Sequence, residues 1–279
     1  MAPILPGAKA RYPRRFLVPE VVQTSGTDCG PATLKCAAEG FGLHLSYGRL
    51  REACQTDVDG SSIDAIQDLA RRLGLEARQV LLPEDHLLVP EADVLPAIVV
   101  VRQPVGLPHF VVAWSTLGPW VQVMDPGTGR RWPLRRAFRD ELYLHTMRVP
   151  ASGWRRWAGS EEYLRVLRRR LRQVGVGARA AERLVTRGLQ DPAWRSIAAL
   201  DAAARMVASL LGSGGLSAGA TSARLCEVLF DGECRRHAGE ADRTVSPIPA
   251  TYWPAVPVEA VTQALSSPAP GATAPAGPK

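Results

Sequence analysis

The stretch Gln23-Thr-Ser-Gly-Thr-Asp28-Cys29-Gly30-Pro31 sets a cysteine beside a helix-start signal, with a glutamine six positions upstream. His109 and Asp125 follow at the two ends of what reads as one β-hairpin. A thiol, an imidazole, a carboxylate and a side-chain amide are the parts of nucleophilic acyl transfer: nucleophile, general base, base-orienter and oxyanion donor. Proline suits a first helical turn, because the N–H it lacks would have no partner there. The run from Pro31 to Glu39 is helix-forming, and Gly40 and Gly42 are stop signals. Cys29 therefore falls at or just before a helix N-terminus, where free amides and the helix dipole favour a thiolate. Asp28 opposes this as a like charge, unless its side chain caps the helix.

Simple geometry links His109 to Asp125. The runs His109–Ser115 and Trp120–Asp125 are strand-like, and Thr116-Leu-Gly-Pro119 between them is turn chemistry. A hairpin centred near Leu117 sets 109 opposite 125, 111 opposite 123 and 113 opposite 121. Directly opposed residues share a face of the sheet, with Cβ atoms about 4.5–5.5 Å apart. A carboxylate at 125 is then within reach of an imidazole at 109.

The flanking elements describe an α+β domain. Ser46 opens a short helix through Leu50 to Ala53. Ser61 or Ser62 opens another, with Ile63, Ile66, Leu69, Ala70 and Leu73 on one face and Gly74 as its stop. Strand-like segments follow at 77–82, 97–102, the hairpin, 131–134 and 142–149. Helices come first and an antiparallel sheet second. Cys36 and Cys54 read as core residues.

The glutamine–cysteine block, the helix behind it, His109-Phe110 and Asp125-Pro126, in that order, resemble the papain-like peptidase domain of bacteriocin-exporting ABC transporters, the double-glycine leader peptidases. The resemblance spans about residues 13–150. It implies a papain-like fold, with the cysteine helix packed on the sheet that carries the histidine and aspartate. It also implies roles: Cys29 as nucleophile, His109 as general base and acid, Asp125 as orienter of the imidazole, and Gln23 as oxyanion donor beside the Cys29 amide. The implied substrate is a precursor peptide, cut after a Gly-Gly or Gly-Ala pair. The implied partner is an ABC transporter that binds ATP and exports the core peptide, with the peptidase at the cytoplasmic face of the plasma membrane. Relatives without the cysteine only bind leaders, so a silent leader-binding or transporter-docking module is the alternative. Most of that family fuses the peptidase to a membrane domain and an ATPase. Here the longest apolar run, Leu95–Val101, is strand-sized, and no phosphate-binding loop is present. The transporter is expected as a separate chain or as the remainder of a longer one.

Residues 1–12 read as an N-terminal extension without signal-peptide character. Residues 151–245 read as a helical domain. Ser160–Val174 carries Leu164, Leu167, Leu171 and Val174 on one side against Arg165, Arg168, Arg169, Arg170 and Arg172. A second helix runs from Asp191-Pro192 to Gly212, and a third from Ser217 or Thr221 to Phe230, stopped by Gly232. Residues 246–279 form a Pro- and Ala-rich tail of disordered character. Residues 1–150 hold 17 Lys/Arg and 16 Asp/Glu, while 151–279 hold 17 and 11, so the helical half is the basic one. A solvated arginine face, a transporter-docking surface or an anionic membrane surface would each account for it. No nucleic-acid recognition motif accompanies the charge. The five cysteines (29, 36, 54, 226, 234) suggest no disulfide framework. Cys226, Cys234 and His237 lack a fourth ligand and tight spacing, so no metal or other cofactor is expected.

Overall fold

Helix α1 (Cys29–Gly40) starts at Cys29 itself, with Pro31 in its first turn. It ends where Gly42 takes a φ of +83° and the Leu43 amide bonds back to the Ala38 carbonyl at 2.9 Å. That reversal needs a residue free to adopt the left-handed region. Ala32, Thr33, Leu34, Cys36, Ala38 and Gly40 are all buried, so α1 is enclosed on nearly every side. Around it lie α2 (Tyr47–Ala53), opened by Ser46, and α3 (Ile63–Arg72), where Ser62 Oγ accepts the Ala65 amide as an N-cap.

In this computed structural model residues 2–5, 14–54, 56, 60–103, 106–144 and 150–236 are described. The first of two compact units, Met1–Thr146, combines the three helices with a six-stranded antiparallel sheet. Its strands are β1 (Ala2–Leu5), β2 (Val80–Leu82), β3 (Ala97–Arg102), β4 (Pro108–Leu117), β5 (Trp120–Asp125) and β6 (Gly129–Arg131), in the spatial order β2-β1-β3-β4-β5-β6. Ile98, Val112, Trp114 and Met124 join the α1 core. The alternate residues Val99, Val101, Val111, Val121 and Val123 are buried as well, so both faces of the central strands are covered. The mixed helix-and-sheet class therefore stands as expected.

Several details depart from expectation. Ala2–Leu5, within the segment set apart as an extension, is a strand between β2 and β3. The strand at 77–82 is confined to Val80–Leu82. Arg135–Glu141 forms a helix, α4, that buries Phe138, and Leu142 makes a single bridge to Val101 where a strand was expected. The rest of that expected strand, 145–149, lies outside the described residues. The β4–β5 turn is tighter than Thr116–Pro119: Leu117 pairs with Trp120 around Gly118-Pro119, with φ +54° at Gly118. Proline at the second loop position fixes a negative φ there, which leaves the turn with glycine first as the hairpin solution. Between Ala113 and Ser115 a β-bulge absorbs one residue, and beyond it Val112 faces Met124.

The second unit, Met147–Lys279, is helical over its described part: α5 (Ala151–Ala158), α6 (Glu161–Gln173), α7 (Ala178–Gln190), α8 (Arg195–Gly212) and α9 (Ala220–Arg236). Leu164, Leu167, Leu171 and Val174 of α6 and its end are buried, as their spacing implies, beside Leu184, Ile197, Leu200, Val207 and Phe230. Arg170 departs from the expected polar face. It is buried and paired with Asp201, which also accepts Arg205 Nε at 2.8 Å. A charge is tolerated there because it is matched. Asp191 lies ahead of α8, where it accepts the Ala193 amide at 2.8 Å and the Ser196 hydroxyl at 2.6 Å. Gly232 is inside α9 and does not end it. The Pro- and Ala-rich tail, His237 and His145 lie outside the described residues. Among the described residues no helix is long and apolar enough to cross a membrane.

The contact between α1 and the sheet depends on Gly40. A Cβ there would meet the Trp114 ring, with Cζ2 at 2.8 Å. Trp114 is fully buried, and its Nε1 donates to the Arg15 carbonyl at 2.9 Å, so the ring has little room to move. Helix propensity alone favours Gly→Ala by about 1 kcal/mol. Gly40→Ala is nevertheless expected to destabilise the protein by about 1–3 kcal/mol, as overpacking does. Denaturant unfolding measures this, and an unchanged or higher midpoint would mean that the ring yields freely.

Candidate active site

Cys29 occupies the first position of α1, where the amides of the opening turn have no partner within the helix. The amides of Gly30 and Phe110 and the His109 side chain all hydrogen-bond to the thiol. β5 ends at Asp125, level with Val111 when the register of β4 and β5 is extended, so Phe110 lies beyond the end of β5 with its amide directed at the sulfur. Gly30 permits the close fit, since a Cβ there would lie 2.8 Å from Ser61 Cβ and 3.2 Å from Ile66 Cδ1.

His109 and Asp125 meet as expected, by a different register. The extended pairing sets Asp125 across from Val111, not His109. The two residues are thus diagonal neighbours on one face, a separation that longer side chains can bridge. His109 Nε2 lies 2.8 Å from Asp125 Oδ1, with His109 4% and Asp125 15% exposed. The same Oδ1 accepts the Gly127 amide at 2.8 Å, and Arg131 Nε lies 3.9 Å from Oδ2. With Nε2 engaged by the carboxylate, Nδ1 is the nitrogen left for the thiol. Arg131 is itself fixed by a bidentate pair with Glu141.

The electrostatics follow from these contacts. Burial pushes the Cys29 thiol up, but the hydrogen bonds from His109, Phe110 and Gly30 and the His109 charge outweigh it, and the thiol lies below its ordinary value. Burial pushes His109 down, but its hydrogen bonds and charge interactions with Asp125 and Cys29 raise it to about 9. For Asp125, burial is outweighed by His109, the Gly127 amide and the Arg131 charge, which hold the carboxyl low. Thiolate, imidazolium and carboxylate thus stabilise one another near neutrality. The other thiols behave oppositely: burial raises Cys36, takes Cys54 to about 11 and Cys226 to about 12, and also raises Cys234.

Gln23 is tied to the same corner by its backbone, whose amide donates to the Pro126 carbonyl at 2.9 Å. Its Oε1 is buried without a hydrogen-bond partner among the described residues, an arrangement that ordinary packing avoids. Asp28 does not cap α1. Its fully buried carboxylate accepts Thr24 Oγ1 and Arg51 Nε, both at 2.8 Å.

Sequence reasoning missed Gly127, Arg131, Arg51 and Thr24. The Asp-Pro-Gly run does signal a turn in which the Asp side chain accepts the amide two residues on. It does not signal that a Cβ at Gly127 would come within 3.3 Å of Asp125 Oδ1 and 3.9 Å of His109 Nε2. The two arginines come from separate elements and carry no local signature. Among the described residues no cluster of His, Cys, Asp and Glu could hold a metal ion.

Residues 18–146 match the Peptidase C39 family. Over 111 residues the chain is 28% identical to the lactococcin-G-processing and transport ATP-binding protein of Lactococcus lactis subsp. lactis, covering 39% of this chain and only 16% of that protein. Over 119 residues it is 30% identical to an uncharacterized protein of Methanothermobacter marburgensis, covering 42% of this chain and 79% of that one. Among solved structures, a double glycine motif protease from an AMS/PCAT transporter, in complex with its leader peptide, is 22% identical. It aligns over 50% of this chain and 91% of that one with a TM-score of 0.40. The stretch that carries Gln23, Cys29, His109 and Asp125 is the matched one, and through it the chain belongs to the Peptidase C39 family.

Proposed function

We propose that this chain is a cysteine endopeptidase that removes the leader of a ribosomally made, secreted precursor peptide, cutting after a Gly-Gly or Gly-Ala pair. The observation that carries this reading is the thiol at the start of α1, hydrogen-bonded to an imidazole whose other nitrogen lies 2.8 Å from a half-buried carboxylate. Cys29 is the nucleophile. Its sulfur attacks the scissile carbonyl carbon, and the carbonyl oxygen, now negative, is met by the Cys29 amide and the Gln23 side-chain amide. His109 gives its proton to the leaving amine nitrogen, the C–N bond breaks, and a thioester to the leader remains. His109 then takes a proton from water, whose oxygen attacks the thioester and releases the leader carboxylate and the thiolate. Asp125 holds the imidazole in orientation and stabilises its charge throughout.

The partner is drawn from the relatives. One of them is both a processing and a transport ATP-binding protein, and the present chain matches only its peptidase-sized portion. We take the ATP-binding transporter to be a partner of this peptidase at the cytoplasmic face of the membrane. The basic helical unit is a candidate for that contact, with an anionic membrane surface as the other. A silent leader-binding module is disfavoured, because such a role has no use for the lowered Cys29 thiol.

The test is mass spectrometry of a leader–core peptide with a Gly-Gly junction. The wild type is expected to cut after the second glycine and Cys29→Ala not at all. Gln23→Ala is expected to lose about 100- to 1,000-fold in kcat, as one oxyanion donor typically contributes. Binding without cleavage by the wild type, in the presence of the transporter as well, would overturn the enzyme reading.

The pH dependence has a defined sign. Activity requires the imidazolium, so it should persist to about pH 9 and fall above it, as His109 loses its proton. Asp125→Asn removes a charge that raises His109, so the alkaline limb should move to lower pH and kcat should drop. A limb unmoved in that variant would remove Asp125 from its role.

A further inference from the structure

Next to the nucleophile lies a charge pair that the reaction scheme does not use. Asp28 precedes Cys29 directly and is 0% exposed, while its partner Arg51, on α2, is 49% exposed. Arg51 Nε donates to Oδ1 at 2.8 Å, Thr24 Oγ1 donates to Oδ2 at 2.8 Å, and the Thr24 amide reaches the Tyr47 hydroxyl at 3.4 Å. Asp28 also donates its amide to the Ser25 carbonyl at 3.3 Å, and its own carbonyl accepts the Ala32 amide at 3.1 Å. Both ends of the loop between Gln23 and Cys29 therefore converge on one carboxylate, and α2 holds that carboxylate from outside. A buried carboxylate is stable only if matched, and Arg51 and Thr24 provide the match.

We propose that Asp28 and Arg51 form a positioning device for the thiol: they fix the loop that carries Gln23 and Cys29, and as a matched pair they leave the field at the sulfur to His109 and the helix dipole. This rests on reading Cys29 as the nucleophile. An unmatched carboxylate one residue from the sulfur would repel the thiolate, and an unmatched guanidinium would attract it. Among the described residues, the other charged groups that act on the sulfur are His109 on β4, Asp125 on β5 through that imidazole, and Arg131 on β6 through Asp125. Tyr47 on α2 is the other titratable group at Asp28. The device separates two tasks: the loop is held by a charged hydrogen bond, yet the thiol does not feel a net charge from it.

The two single substitutions act in opposite directions, which a purely structural role would not produce. Asp28→Asn keeps the side-chain shape and leaves Arg51 unmatched, so the thiolate is favoured. Arg51→Gln leaves the carboxylate unmatched, so the thiolate is disfavoured. The measurement is the rate of iodoacetamide alkylation at Cys29 against pH on the full chain, assigned by peptide mapping, with Cys54 as an internal reference. The midpoint is expected about half a unit to one unit lower in Asp28→Asn and higher by a similar amount in Arg51→Gln, from a unit charge at this range and half-exposure. The double variant should return towards the wild type, and Arg51→Lys, which keeps the charge, should restore the midpoint. Should Asp28→Asn fail to fold, the contrast between Arg51→Gln and Arg51→Lys carries the test alone. Midpoints that shift in the same direction in both single variants, or not at all, would overturn the proposal. A wild-type Cys29 that reacts no faster than Cys54 would instead overturn the nucleophile assignment beneath it.

Discussion

The hydrogen bond between His109 Nε2 and Asp125 Oδ1 crosses from β4 to β5 at the place where β5 ends, and the rest of the site is arranged around it. It holds the imidazole so that its other nitrogen meets Cys29. Asp125 Oδ1 is fixed in turn by the Gly127 amide, and the Pro126 carbonyl between them holds the Gln23 backbone. One turn therefore sets three of the four groups: the aspartate directly, the histidine through it, and the glutamine through the main chain. The fourth, Cys29, is placed by the start of α1. The packing of α1 on Trp114 and β4 keeps that helix start in register with the histidine.

The same contacts explain why one cysteine of five differs from the others. Cys36 is on the same helix and fully buried, and burial, helped by the Glu39 charge, makes its thiol a poor acid. Cys29 is also largely enclosed, yet it faces donors on three sides: its own helix start, the Phe110 amide past the end of β5, and the imidazole. Desolvation raises any thiol, so what distinguishes a reactive one is whether specific donors outweigh that cost. Here the β-sheet contributes as much as the helix, because β4 outruns β5 and leaves a main-chain donor at the sulfur.

Much of this was legible in the chain. Helix punctuation, Pro31 after Cys29 and Gly42 at the far end, locates α1 because those residues act through local backbone conformation. The alternation of Val121 and Val123 with Gln122 and Met124 marks β5 as a strand. The hairpin joins His109 to Asp125 although its register differs by two residues from the one expected, since a shift of two preserves the face. The bulge at Ala113–Ser115 was invisible because nothing in Ala-Trp-Ser departs from strand composition. Arg170 reads as part of a polar face because its partner, Asp201, comes from another helix. From sequence Asp28 reads only as a cap or a repulsive charge, since its partner Arg51 lies on a separate element. The charge pairs that escape sequence reasoning are tertiary: they make sense only after two elements meet.

Asp125 and the Cys29 thiolate together hold His109 as an imidazolium. Titration of the histidine ring resonances by NMR, with His109 assigned by substitution, tests it most directly. The His109 ring is expected to stay protonated until about pH 9 in the wild type and to lose its proton at distinctly lower pH in Cys29→Ala, where the thiolate is gone. A His109 that titrates near pH 6.5, the ordinary imidazole value, and does so equally in both proteins would contradict it.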